Sequence, residues 1–245
     1  ATSFNLNNLK QELLGALVVA NDAGGASQIA CLALELDIRF SALISGPAKK
    51  IFEDLAVNYE IFDSTTTNSN LHTILTGTSI YGGPESIILE EQKFKALKKI
   101  SLLDNWVNYS ERFNPNRQFL PDTLLVTNSL SRKIASTIFP NSYILQIPDF
   151  YLARQMREYL KLSKVTRSLL VILEPESKTS LAEIFKIKKI EDYVAVLINQ
   201  ANSYEVSEII LRPHPSQDFH FEELQFNVHS KQITFRISRD SLIQD

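Results

Sequence analysis

One cysteine, Cys31, serves all 245 residues. No intrachain disulfide can form from it, which fits a reducing compartment and a cytoplasmic chain. Glycine is scarce too. Of seven glycines, five stand at 24, 25, 77, 82 and 83, each shortly after an apolar run. A purely structural use would scatter them more. No stretch reaches the roughly 18 apolar residues of a membrane span. The apolar run at 13–20 is too short, and it lacks the basic flank of a signal peptide. Neither charge sign dominates: 25 Lys and Arg against 28 Asp and Glu give a formal net charge of −3. That balance argues against a general nucleic-acid partner. Several catalytic fingerprints are missing as well. Without GxGxxG, a P-loop or a GxSxG elbow, dinucleotide, P-loop ATPase and serine-hydrolase readings have no footing. With no DxD, HExxH or Cys/His cluster, no metal is expected.

The rest of the composition is that of a soluble globular protein, 44% hydrophobic and 22% charged. The length suffices for one large or two modest domains. After a polar lead-in helix at 3–12, continuous apolar runs alternate with helical periodicity. Strands are predicted at 15–20, 38–45, 59–62, 71–79, 100–103, 122–128 and 142–149. Continuous rather than alternating apolar strands, separated by helices, predict a parallel sheet buried on both faces. A charged helix and linker at 151–167 lead to a second set of strands, at 168–177, 208–212 and 232–238. A helix with apolar residues at roughly 3.6 spacing fills 180–201. Another helix begins near Asp240 or Ser241. The fold class is therefore α/β with two Rossmann-like halves. Residues 1–150 form the first, 151–167 the linker and 168–245 a partial second half. A half-sheet ending on an unfinished helix leads us to expect a longer native protein, by about a hundred residues. The missing initiator Met likewise suggests a processed or trimmed start.

Ligands of open α/β sheets bind at the carboxyl ends of the strands. That rule picks out four places. NDAGGASQ at 21–28 follows the first strand and opens a helix. Gly24 and Gly25 would let a ligand approach the backbone, or would simply supply positive φ in a tight turn, with Asp22 satisfying backbone donors. Asp22 is also placed to deprotonate a hydroxyl. Gln28, Thr78 and Ser79 are further polar residues near the same edge, Thr78 and Ser79 equally suited to capping the following helix. Asp104, Trp106, Tyr109 and Arg112 follow the fifth strand, as a ligand-binding cluster or as sheet capping, and packing is the plainer role for the only Trp. His72 sits early in its strand and is read as structural. In the second half, EIILRPHPS at 208–216 ends a buried strand on Arg212 and on His214, which two prolines flank. A cation and a rigidly held imidazole suit a phosphate, although a rigid solvated turn has the same residues.

Two such halves, a Gly-containing turn after the first strand and RPHP at 212–215 resemble the GT-B type of glycosyltransferase, in particular bacterial surface-polysaccharide enzymes. ISLLDNWVNYSERF at 100–113 and LPDTLLVTN at 120–128 resemble stretches of transferases from polysaccharide biosynthesis. The His-Pro pair resembles that of bacterial sialyl-, Kdo- and glycerophosphate transferases, where the His contacts the phosphate of a cytidine nucleotide. The resemblance implies a metal-independent transferase without a cofactor, its nucleotide sugar being a co-substrate. Its partners are a nucleotide-sugar donor and a saccharide or lipid-linked acceptor, with peripheral membrane contact in the latter case. His214 and Arg212 would bind the donor phosphate with Ser177 and Thr179 in the turn after the first strand of that half. Asp22 would be the base, and Gly24, Gly25, Gln28, Thr78, Ser79, Asp104 and Trp106 would line the acceptor site. The chain departs from the family by ending before a later Ser/Thr-bearing segment of the second half. A nucleotide-sugar epimerase of the same architecture and a non-catalytic nucleotide-sugar-binding scaffold are the alternative readings.

Overall fold

The computed structural model describes residues 5–63, 71–79, 81–113, 119–161, 168–172, 206, 208–212 and 234–237. The chain divides into two compact units, Ala1–Arg157 and Glu158–Asp245.

The first unit is built on seven parallel strands: β1 (Leu17–Ala20), β2 (Ser41–Ile44), β3 (Glu60–Ile61), β4 (Thr73–Thr76), β5 (Lys98–Leu102), β6 (Thr123–Val126) and β7 (Tyr143–Gln146). Their order across the sheet is β3-β2-β1-β4-β5-β6-β7. Helices α1 (Leu6–Leu13), α2 (Ala23–Leu36), α3 (Ala48–Asp54), α4 (Pro84–Glu90), α5 (Ser129–Ile138) and α6 (Phe150–Tyr159) complete it. The central strands β1, β4 and β6 are buried along their whole length because each face of the sheet is covered there, whereas the edge strand β3 is exposed. Val18 and Ala20 of β1 pack with Leu13 of α1, Ile29 and Leu32 of α2 and Phe52 of α3. Leu17 and Val19 point the other way, into a second cluster with Ile88 of α4 and Ala135 of α5. This is the α/β, Rossmann-like arrangement expected, and the alternating burial of a continuous apolar run is its physical cause. Phe150, the first residue of α6, belongs to the first of these clusters.

The strand order places a switch point. From β1 the chain steps outward to β2 and β3, then returns to lay β4 on the other side of β1. The helix after β1 covers one face and the helix after β4 the opposite face; in open α/β sheets the carboxyl ends of two such strands are where the ligand crevice lies.

In the second unit, β8 (Ser168–Ile172), β9 (Glu208–Arg212) and β10 (Thr234–Ile237) form a parallel sheet with β9 in the centre. Ile209, Ile210 and Leu211 are buried. The expected helix over 180–201 and the second-half turn residues lie outside the described residues. No helix among the described residues is long and apolar enough to cross a membrane.

Candidate functional site at the carboxyl edge of the first sheet

The crevice between β1 and β4 is lined by the residues immediately after each strand. β1 ends at Ala20, and α2 begins already at Ala23, with Asp22 as its N-cap. The glycines of NDAGG are therefore inside the first helical turn. Neither Gly24 nor Gly25 has positive φ, which corrects the tight-turn expectation; Gly15, Gly46 and Gly82 are the positive-φ glycines of the described residues. What the two glycines provide is close approach. A Cβ on Gly25 would lie 3.1 Å from the Cα of Gly77, so α2 abuts the loop after β4 backbone to backbone. A Cβ on Gly24 would lie 1.9 Å from Asp104 Oδ2, so the carboxylate after β5 rests against the exposed start of α2.

Asp22 makes no side-chain cap hydrogen bond, contrary to the capping alternative. Its Oδ1 accepts from Asn21 Nδ2 at 3.0 Å, and Asn21 Oδ1 accepts from the Ser45 hydroxyl at 2.9 Å. The side chain of Asp22 is partly exposed at the mouth of the crevice. Behind it lies Glu85, 2% exposed, on the first turn of α4. Glu85 Oε1 accepts the backbone N–H of Asn21 at 2.8 Å and that of Asp22 at 3.4 Å. Its Oε2 accepts from the Ser79 hydroxyl at 2.9 Å. One buried carboxylate thus ties the end of β1 to the loop after β4.

The loop after β5 is tied in by Arg112. Its Nη1 donates to Asp104 Oδ1, to the Thr78 carbonyl at 3.1 Å and to Thr78 Oγ1 at 2.7 Å. The Thr78 hydroxyl donates onward to the Leu102 carbonyl at 3.1 Å, and the Tyr81 N–H donates to the Glu111 carbonyl at 3.0 Å. Between Asp104 and Arg112 the chain is exposed at residues 105–108, and Trp106 is 55% exposed. The packing role expected for the only Trp is therefore corrected: the indole is presented to solvent. Tyr109 and Phe113 carry the packing of this loop instead, against Phe139. The Tyr109 hydroxyl is buried and has no hydrogen-bond partner of good geometry among the described residues. Burial pushes its pKa above the ordinary 10.0; the neighbouring Ser131 and Arg112 moderate that rise. Burial also raises the Cys31 thiol on α2, away from the crevice.

The expected base and acceptor residues thus divide into two groups. Asp22, Gly24, Asp104 and Trp106 meet solvent around one crevice. Gly25, Gln28, Thr78 and Ser79 are buried beneath it. Gln28 donates its amide to Asp149 Oδ1 at 3.1 Å, and the same oxygen accepts the Leu152 N–H at 2.8 Å, which fastens α2 to the start of α6. Gln28, Thr78 and Ser79 are thus buried and engaged in hydrogen bonds within the fold. Glu85, Asn21 and Ser45 were not anticipated. Glu85 in PES after a Gly-Gly pair reads as an acidic residue favoured by a helix N-terminus, and nothing local announces a partner 64 residues away. His72 lies before the first residue of β4, at the opposite end from the crevice.

Electrostatically the rim carries two accessible carboxylates, Asp22 and Asp104, and its one guanidinium, Arg112, is engaged with Asp104. Such a rim suits hydroxyl groups better than a free phosphate. Among the described residues no group of three or more His, Cys, Asp or Glu is placed to hold a metal ion. In the second unit Arg212 ends the central strand opposite Ile172 and interacts within the protein. Ser177, Thr179 and His214 lie outside the described residues. No protein-family model matches the chain, and no curated protein matches its sequence.

Proposed function

We propose that the chain is a metal-independent glycosyltransferase of the GT-B type, acting in bacterial surface-polysaccharide synthesis. It moves a sugar from a nucleotide donor to a saccharide or lipid-linked acceptor. The observation that carries this reading is Asp22: a carboxylate with one oxygen fixed by Asn21, at the switch point of the sheet, where a second carboxylate, Asp104, lies against the start of the same helix and is followed two residues on by an exposed Trp. A sugar acceptor offers hydroxyls for the carboxylates and an apolar ring face for Trp106. A second parallel sheet, whose central strand ends on Arg212 before His214, supports the donor half of the reading.

The reaction runs as a displacement. Asp22 takes the proton from an acceptor hydroxyl, whose oxygen forms a bond to the anomeric carbon of the donor sugar. The bond from that carbon to the phosphate oxygen breaks, and its electron pair leaves with the nucleotide. Arg212 and His214 stabilise the charge that grows on that phosphate. The proton on Asp22 then passes to water.

Asp22→Asn keeps the size of the side chain and removes the base. Turnover should fall by about 10²–10⁴-fold, the range for general bases, while donor binding and thermal stability stay put. A D22N variant with wild-type turnover would remove Asp22 from the mechanism. Wild-type release of an epimerised nucleotide sugar without any acceptor would favour the epimerase alternative.

A further inference from the structure

Glu85 is the only buried carboxylate among the described residues, and none of their ion pairs includes it. Burying a carboxylate without a cation is costly, and hydrogen bonds return only part of that cost. What Glu85 supplies is geometry: it holds the backbone N–H groups of both Asn21 and Asp22 and the hydroxyl of Ser79. Asn21 is fixed from three further directions. Its carbonyl accepts from the Ala48 N–H at 3.1 Å, its Oδ1 from Ser45, and Gly46, at φ +52, leaves room for it where a Cβ would lie 2.6 Å from Oδ1. The remaining polar group of the Asn21 side chain, Nδ2, donates to Asp22 Oδ1. Asp22 is therefore held at its backbone by Glu85 and at one carboxylate oxygen by Asn21, and among the described residues Oδ2 is left uncommitted.

We infer that Glu85 and Asn21 are positioning residues whose task is to aim Oδ2 of Asp22 at the acceptor hydroxyl. The inference rests on Asp22 being the base of the proposed transfer. Neither residue touches the reacting atoms; both act through Asp22.

The experiment compares wild type with Glu85→Ala, Glu85→Gln, Asn21→Ala and Asp22→Asn in the complete reading frame that encodes the chain. Transfer is followed from UDP-glucose, UDP-N-acetylglucosamine, GDP-mannose and CMP-N-acetylneuraminate to lactose and to polyprenyl-phosphate-linked sugar. Amide exchange at Asn21 and Asp22 is read in parallel. Glu85→Ala should lower kcat about 100-fold, the scale of a misplaced reacting group, with the donor KM unchanged and exchange faster at residues 21 and 22 only. Glu85→Gln keeps an acceptor for the Asn21 N–H and should recover kcat to within about fivefold of wild type. Where Glu85→Ala does not fold, Asn21→Ala decides, with an expected loss of about 10-fold in kcat. An active wild type with Asp22→Asn dead, and with kcat per folded molecule unchanged in both Glu85→Ala and Asn21→Ala, overturns the positioning role and leaves the transferase reading standing. A wild type inactive with every donor, or an active Asp22→Asn variant, overturns the positioning role together with the base assignment.

Discussion

Replacing Gly24 by alanine sets two effects of opposite sign against each other. Alanine is the better helix former, by about 1 kcal/mol in a helix interior and less in the first turn. Gly24 is the second residue of α2, so a gain of about 0.5 kcal/mol is a fair allowance there. Against it stands the carboxylate of Asp104, whose Oδ2 would be 1.9 Å from the new methyl group and whose Cγ would be 3.0 Å away. The methyl cannot be accepted unless Asp104 turns aside. Turning aside strains or breaks its bond to Arg112, in a pair whose side chains are 18% and 11% exposed. A hydrogen bond between charged groups in such a setting is worth about 1.5–3 kcal/mol. The net expectation is a loss of about 1–2 kcal/mol. The assay is urea unfolding followed by far-UV circular dichroism, with Ser27→Ala as the control. Ser27 lies on the same helix, its hydroxyl bonded back to the Ala23 carbonyl at 2.8 Å. Its replacement should be neutral or gain about 0.5 kcal/mol. A G24A chain more stable than wild type by the same amount as S27A would refute the contact between Asp104 and the start of α2.

Two further outcomes concern stability and one concerns binding. The folded protein favours neutral Cys31 and neutral Tyr109, so the unfolded chain ionises first as pH rises past the ordinary values of 9.0 and 10.0. The contribution of these groups is complete below about pH 9 and is lost as pH climbs through their raised folded values; melting temperatures from pH 7 to 11 should be flat in this respect and then fall. Tyr109→Phe removes a buried hydroxyl that lacks a good partner, so stability at pH 7 should rise by about 1 kcal/mol and the alkaline loss above pH 10 should shrink. A loss of similar size at pH 7 would show that the hydroxyl is satisfied. Trp106→Ala should leave stability within about 0.5 kcal/mol, because the indole is exposed. It should also weaken saccharide binding, read by titration calorimetry, by about 1 kcal/mol, close to fivefold. Unchanged binding would remove Trp106 from the acceptor site.

The architecture was legible because its cause is local. Apolar runs long enough to be buried on both faces, each followed by a helical stretch, can be counted along the chain. The seven strands of the first sheet occur where the pattern puts them; six are shorter than the predicted run, and β5 begins two residues before it. The site was less legible. NDAGG reads as a turn because glycine is the usual turn residue, yet α2 starts at Ala23 and uses its glycines to pack against Gly77 and Asp104. That choice depends on what lies 52 and 80 residues further on, which periodicity cannot encode. Thr78 and Ser79 looked available as hydroxyls and are consumed by Arg112, Leu102 and Glu85. Asp22 and Trp106 were picked out by their places after β1 and β5, and those places are set by topology, which the strand pattern does carry.

A transferase of this kind must bind a nucleotide, and binding is more direct to measure than transfer. The measurement is a titration of CMP, CDP, UDP, GDP and ADP, each with and without Mg²⁺, against the complete reading frame and its His214→Ala variant. One nucleotide should bind equally well in either buffer, and the variant should lose it. Binding of none of the five, or binding that His214→Ala leaves intact, would contradict the account.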